Sequence, residues 1–468
     1  MPLSAEHALK LRAIKAIVGC ILIIFTFGNF YSIGNMSPYI ISYIRKKVDK
    51  NTNPIDAIWL SGVCLGVQGI FMPIAGLLAL KTGVKFIVGV SCLLNSLGIM
   101  LSYVSIQWGF ILFVMTYSLM VGIGVSASYS VLLSIATAWM PNARGLVLGL
   151  CACMFGAGAI VLTPIQTVLI NPTNIKPNNV SHLFEDEALL FRVPPSILTL
   201  GAILGSLQLI GWICVKVPSE NLVSAEDEVL NEVGEIENYP PLKVLRTADF
   251  YVLWLTMLCG IFPVIMIMSL YKIIGQKEIK NDRFLTAVGT LSSVANMLGR
   301  LMWGELADRI FYKASFCKTL LAVVYALWSL LFLILPFSPH IPNVGMYLFA
   351  ILVILLFICI AGLFVLTPYA ARKLFGQEYF AANFGLIFSA VLPGAMVGSA
   401  ISVTANVHHH VVHLCLGCAA SCFAGFVAAL TLPSGQRNGP RALSSLFCHK
   451  KPRGTETSQS VGVQSPQL

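Results

Sequence analysis

Apolar runs of roughly 20–30 residues, each long enough to cross a bilayer as a helix, follow one another along the chain. They are read at 16–44, 56–80, 84–106, 108–138, 144–170, 194–217, 248–272, 283–307, 314–336, 344–371, 378–406 and 409–432. A backbone facing lipid must satisfy its own hydrogen bonds, so each run is predicted to be a helix. Pro73, Pro164, Pro263, Pro368 and Pro393 fall inside runs and mark candidate kinks. The predicted fold class is an all-α membrane protein of twelve transmembrane helices.

Composition sharpens this. Of 468 residues, 57% are hydrophobic and 11% charged. Soluble domains carry about 25% charged residues. No carboxylate occurs between Asp56 and Glu185, or between Arg309 and Glu378. A soluble enzyme, a secreted disulfide module and a disordered chain are thereby excluded. The net charge of +10 does not point to nucleic acid, because the basic residues sit in short connections where they set topology. The 13 cysteines lie almost all in apolar runs and behave there as small hydrophobes. The run from Ala16 is too long for a signal-peptide core, so it is read as an uncleaved first span.

With the N-terminus in the cytoplasm, most Lys and Arg fall on the cytoplasmic side, although the cluster Arg45–Lys50 dissents. Both termini are therefore expected inside, and the plasma membrane is the default location. The longest inner connection, 218–247, is acidic and divides six spans from six. The expected organisation is an N-terminal half (1–217), a cytoplasmic linker (218–247), a C-terminal half (248–432) and a polar, disordered tail (433–468).

The halves look related. Gly76-Leu77-Leu78-Ala79-Leu80-Lys81 closes span two, and Gly304-Glu305-Leu306-Ala307-Asp308-Arg309 closes span eight. Similar halves joined by an inner linker imply a parallel repeat with a site between them near the midplane. The second of these segments resembles the signature loop of the major facilitator superfamily; the first is a degenerate copy, with Leu80 in place of the acid. Trp139-Met140-Pro141-x-x-Arg144-Gly145-Leu146-Val147-x-Gly149, Asn296-x-x-Gly299-Arg300-x-x-Trp303-Gly304 and Asn383-Phe384-Gly385-Leu386-Ile387-Phe388 narrow the likeness. Together they resemble the oxalate–formate antiporter branch, a relative of the monocarboxylate transporters, over about residues 16–432. That resemblance implies an alternating-access carrier of small carboxylates. Some members pair the eighth-span Arg with a Lys in span eleven, and here Phe388-Ser389-Ala390 is followed by Val391. A dianion such as oxalate is thus not expected.

Arg300 is the most informative residue. A charge within a span costs several kcal/mol (~2.5 or more) and usually faces a cavity or a partner. Gly289, Ser292 or Ser293, Asn296 and Arg300 form one stripe on one helix face. A guanidinium beside an amide suits a carboxylate, offering parallel donors and charge. The competing reading has Arg300 snorkel to the surface and pair with Glu305 or Asp308. In the related family, spans one and four of each half line the path, which adds Tyr31, Tyr129 and Phe364 to the candidate substrate site. Asn29, Gln68, Gln166 and Tyr369 are further polar candidates. Asp308, Arg309, Gly304, Gly76 and Lys81 are candidate gating residues at the cytoplasmic mouth.

His408, His409, His410 and His413, ahead of Cys415, Cys418 and Cys422, have ligand chemistry but sit at the outer end of the last span; no metal is expected. Asn179-Val180-Ser181 is a glycosylation sequon and Cys448 a candidate lipidation site. Nothing suggests catalysis, and no cofactor is implied. The expected function is secondary active or facilitative transport of lactate, pyruvate or formate type acids. The partners are a small organic anion, with a proton or a counter-anion, and the bilayer. Transport of other organic solutes, or a receptor or scaffold with a transporter fold, is the alternative.

Overall fold

The computed structural model describes residues 5–52, 54–140, 143–173, 175, 183–218, 238–276, 279, 282–309, 316–404, 407–433 and 440–441. The N-terminal helices are α1 (Ala5–Phe27), α2 (Ile33–Lys47), α3 (Ile58–Thr82), α4 (Val84–Ser105), α5 (Phe110–Val114), α6 (Val121–Trp139), α7 (Arg144–Ile170) and α8 (Glu187–Cys214). The C-terminal helices are α9 (Pro241–Val244), α10 (Ala248–Gln276), α11 (Asp282–Arg309), α12 (Phe316–Ile334), α13 (Gly345–Phe375), α14 (Phe380–Phe388), α15 (Val391–Thr404) and α16 (Val407–Thr431). Every apolar run of the sequence has its helix. Among the described residues, 11 helical segments are long and apolar enough to cross a membrane. The twelfth, α11, is 28 residues long but too polar to qualify, because it carries the stripe that ends at Arg300.

Three spans depart from regular α-helix along their length. In span one, α1 passes into α2 through a tight 3-10 turn, Gly28–Ser32. There Ser32 Oγ donates to the Asn29 carbonyl (2.7 Å), the local competition by which such residues disfavour α-helix. In span four, α5 and α6 are joined by a π-helical segment, Met115–Met120. In span eleven, α14 gives way to α15 at Ser389–Ala390. Pro393 lies in the first turn of α15, where its missing N–H is tolerated and a continuous helix is not. The sixth helix starts at Glu187, earlier than the apolar run suggests, because the Asp186 side chain caps the Leu189 N–H (2.8 Å).

Membrane helices gain little from hydrophobicity against one another and associate through close packing and polar contacts. Both appear here. A buried uncharged network joins α1, α4 and α8: Gln208 Nε2 donates to Thr26 Oγ1 and Asn95 Oδ1 (both 2.8 Å), and Ser96 Oγ donates to Gln208 Oε1 (2.6 Å). Contacts between the halves run through α7 against α11 and α13, and through α3 against α14 and α15.

One end of the bundle carries both ends of the 218–247 connection and is called the linker end below. The Trp139 indole N–H donates to the Lys216 carbonyl (2.7 Å). Tyr239 N–H donates to the Phe375 carbonyl (3.0 Å), and Asn383 Nδ2 to the Tyr239 carbonyl (2.9 Å). The start of the tail is held at this end too: Arg441 reaches the fully buried Asp249 through its Nε (2.9 Å) and backbone N–H (2.8 Å). The acidic stretch 219–237, Asn179, Ser181 and Cys448 lie outside the described residues.

Candidate functional site

At the linker end the halves touch backbone to backbone. A Cβ on Gly145 of α7 would strike the Gly304 carbonyl of α11, and a Cβ on Gly149 would lie 2.5 Å from the Arg300 carbonyl. On the other side of the bundle, a Cβ on Gly76 of α3 would lie 2.6 Å from Ala382 Cα in α14. The corresponding glycines of the two repeated segments, Gly76 and Gly304, thus do the same work: each lets its half approach the other. A Cβ on Gly156 of α7, by contrast, meets nothing within 4 Å, and neither does one on Gly62 of α3. Both interfaces therefore close at the linker end and part toward the far end.

Asp308 reinforces the closed end. Its two carboxylate oxygens accept the backbone N–H groups of Gly145 and Leu146, each at 2.8 Å. These are unsatisfied donors of the first turn of α7, where the helix dipole also favours an anion. Gln377 adds a contact between halves, donating to the Ser134 carbonyl of α6 (3.0 Å). Arg309 turns away and pairs with Glu305 on its own helix (2.7 Å) at the surface. Lys81 is exposed in the last turn of α3.

Toward the far end from these contacts lies a cavity of about 400 Å³ between the halves. Tyr31, α7 and α11 line it, together with Met268, Phe357 and Ile360. Arg300 is in its wall and is only 2% exposed. Its Nη1 donates to the Ala152 carbonyl of α7 (2.6 Å) and its Nη2 to the Tyr31 hydroxyl (3.3 Å). The guanidinium lies over the Phe364 ring, 5.6 Å from the centroid, as a cation–π pair. Arg300 Nε finds no acceptor among the described atoms. The snorkelling geometry is not the one observed: Glu305 and Asp308 are engaged elsewhere, and the Arg300 head is buried.

The candidate substrate residues converge. Tyr31 packs edge-on against Phe155 (5.3 Å), and Tyr129 packs on the same ring (5.6 Å). Phe155 thus supports both tyrosines, a role invisible in sequence because its partners come from two other spans. Asn296 lines the cavity, yet Nδ2 donates to the Phe357 carbonyl of α13 (2.7 Å). Trp303 Nε1 makes the matching bond to the Ile358 carbonyl (3.0 Å). Asn296 therefore fastens α11 to α13 as well as facing the cavity. Asn29 and Gln166 turn to one another (2.9 Å) and to Ser32, buttressing the 3-10 turn that presents Tyr31. Of the residues that close the interface, Gly145 and Gly149 do have a sequence signal, a spacing of four that lets helices approach. Among the described residues no cluster of three or more His, Cys, Asp or Glu could hold a metal. The side chains of His408, His409 and His410 lie outside that description.

Comparison with known proteins places this architecture. The chain is 24% identical to apicoplast pyruvate carrier 1 of Toxoplasma gondii, over 84% of this chain and 83% of the relative. It is 22% identical to the oxalate:formate antiporter of Oxalobacter formigenes, over 60% of each chain. A crystal structure of the fucose:proton symporter of E. coli superposes with a TM-score of 0.66 at 15% identity, covering 90% of this chain and 98% of that one. A proton:xylose symporter does so at 0.62 and 12% identity, covering 94% and 99%. The family model described as Major Facilitator Superfamily matches residues 19–399. With that match spanning most of its length and its halves meeting around a cavity, the chain belongs to the major facilitator superfamily.

Proposed function

We propose that this protein is a carrier of organic monocarboxylates that works by alternating access, with Arg300 as the anchor of the carboxylate. The observation that carries the reading is the Arg300 side chain: a buried cation in the cavity wall, two of its nitrogens on neutral acceptors and its Nε without one. A buried cation without a counter-charge is costly. No Asp or Glu is among the residues lining the cavity, so a substrate carboxylate is the natural partner, and it matches the guanidinium fork. The named activities of the relatives, pyruvate carriage and oxalate:formate exchange, are both transport of small carboxylates, and pyruvate and formate are monocarboxylates.

Arg300 also couples binding to movement in this reading. It belongs to α11, and both of its acceptors belong to the N-terminal half. A carboxylate that competes for the guanidinium loosens that tie and lets the halves rock about the site. In this reading the linker end faces the cytoplasm, the membrane is the plasma membrane, and the closed state described above is the outward-facing one. Asp308, Gly304 and Gly76 form its inner gate, with Arg309 and Lys81 on the rim. The protein is a transporter and not an enzyme; symport with a proton and exchange against an anion both satisfy the site.

Counterflow tests the reading. Proteoliposomes holding purified protein and preloaded with unlabelled monocarboxylate should accumulate labelled monocarboxylate transiently, and empty liposomes should not. Absence of counterflow for every acid offered, from a protein that remains folded and monodisperse, would overturn the assignment.

A further inference from the structure

The shape of the cavity says more about the substrate than its class. Resting on the carboxylate reading above, we infer that the preferred substrate is an amphipathic monocarboxylate with an extended apolar body, such as a branched or aryl 2-oxo acid, rather than an acid of one to three carbons. Three observations carry this.

The first is size. A cavity of about 400 Å³ is in the range that holds ligands of drug size, ~300–1,000 Å³. At about 30 Å³ for each water in the liquid, it equals roughly thirteen waters. Pyruvate, with six non-hydrogen atoms, would fill less than half of it, and the remainder would stay wet. A substrate that leaves most of its site wet gains little binding energy and little fixed orientation from it.

The second is the distribution of polarity. Arg300 and Tyr31 make one polar pole. Beyond it the two halves face each other mainly with apolar groups, among them Ile160 and Pro164 from α7, Met268 from α10 and Phe357 and Ile360 from α13, with the uncharged Thr163 and Thr290 between them. The polar side chains in the same wall are partly spent on backbone. Ser293 Oγ donates to the Gly289 carbonyl (2.9 Å), and Asn296 Nδ2 donates to that of Phe357 (2.7 Å). A long apolar wall with a single cationic end fits a molecule built the same way.

The third is charge. Arg300 is the one cation among the lining residues, so a second carboxylate on the substrate would be carried into an apolar wall at high cost. The Tyr31 hydroxyl accepts from Arg300 (3.3 Å), which leaves its own proton to donate to a neighbouring substrate oxygen. A 2-oxo group beside the carboxylate is placed for that bond.

Calorimetric titration of the purified full-length protein with formate, pyruvate, 4-methyl-2-oxopentanoate, phenylpyruvate and oxalate tests this without requiring turnover. Phenylpyruvate should bind at least tenfold more tightly than pyruvate, since burial of a phenyl group is worth more than one decade of affinity. Oxalate should bind most weakly. Gly156→Leu puts a side chain into the cavity from a position whose Cβ has open space, so it should cut the phenylpyruvate-to-pyruvate preference at least tenfold. Formate or pyruvate binding as tightly as phenylpyruvate, with both lost in Arg300→Lys, would overturn the inference and leave the carboxylate reading standing. Phenylpyruvate binding that is indifferent to both Arg300→Lys and Gly156→Leu would overturn it as well, being mere partition into an apolar surface. If no acid of any size binds or exchanges, the carboxylate reading itself is what has failed.

Discussion

Asp308→Ala is the perturbation whose effect follows most directly from the geometry. The carboxylate holds the Gly145 and Leu146 N–H groups only while the linker end is closed. When the halves part there, the carboxylate and the end of α7 both return to water. The cost of the substitution is therefore a differential one between two conformations, not a loss of both bonds outright. Removing a capping side chain from a helix N-terminus costs about 0.5–2 kcal/mol. Removing the negative charge from the helix dipole adds about 0.3–1 kcal/mol. The closed linker end should then lose roughly 0.8–3 kcal/mol, a shift of about fourfold to over a hundredfold in the conformational equilibrium. Asp308→Asn keeps one acceptor oxygen but loses the charge and sets an amide donor against the other N–H group, so it should shift the equilibrium about as far. Spin labels at Leu80 and Glu378 report on the linker end, and labels at Trp108 and Ile341 on the far end; all four positions are exposed. In Asp308→Ala the first pair should move to longer distances and the second to shorter ones. If both distance distributions match wild type while the protein stays folded, Asp308 does not hold the gate and the reasoning is refuted.

Arg300→Lys keeps the charge and loses the planar fork. Loss of a charge-assisted hydrogen bond of ~1.5–3 kcal/mol should weaken carboxylate binding about tenfold to over a hundredfold with expression intact, and Asn296→Ala should cost less; equal uptake in all three proteins would remove Arg300 as the anchor. Gly304→Val would force a side chain into the Gly145 backbone, so the linker end should fail to close; cysteine-reactive probes should then reach the cavity from that side, and unchanged labelling would contradict the close approach. Arg441→Ala strips the buried Asp249 of its guanidinium and should lower stability by about 1–3 kcal/mol, discounted because Arg441 is itself partly exposed. Thermal unfolding measures this, and a midpoint equal to that of wild type would show that the tail contact is dispensable.

The number and order of the spans and their helical nature were legible in the amino-acid pattern, because a bilayer allows a long apolar run few alternatives to helix. The exceptional status of α11 was legible too, since Arg300 and Asn296 sit on one face at helical spacing, and a charge in a span demands an explanation. Other features were not. The 3-10 turn in span one has its local signal in Asn29 and Ser32, but the Gln166 amide of another helix that buttresses it leaves no trace in that run. The sixth helix begins earlier than its hydropathy because its start is set by a local cap, and hydropathy does not measure caps.

The same division runs through the site. The chain alone determined that a cation lies in a span and that the two halves share a Gly-x-Leu-Ala segment, and it raised the expectation of an anionic partner. Only the folded bundle decided where those features act. It placed the Ala152 carbonyl and the Tyr31 hydroxyl against Arg300, turned one Asn296 donor into a helix fastener, and brought Phe155 between two tyrosines from different spans. It also gave Asp308 to the first turn of α7 while Arg309, its immediate neighbour, stayed on the surface. The physical reason is range. Hydrophobic period and intramembrane charge are properties of one helix and can be read along it, whereas a hydrogen bond between Arg300 and residues more than a hundred positions away exists only once packing has set the helices at contact distance.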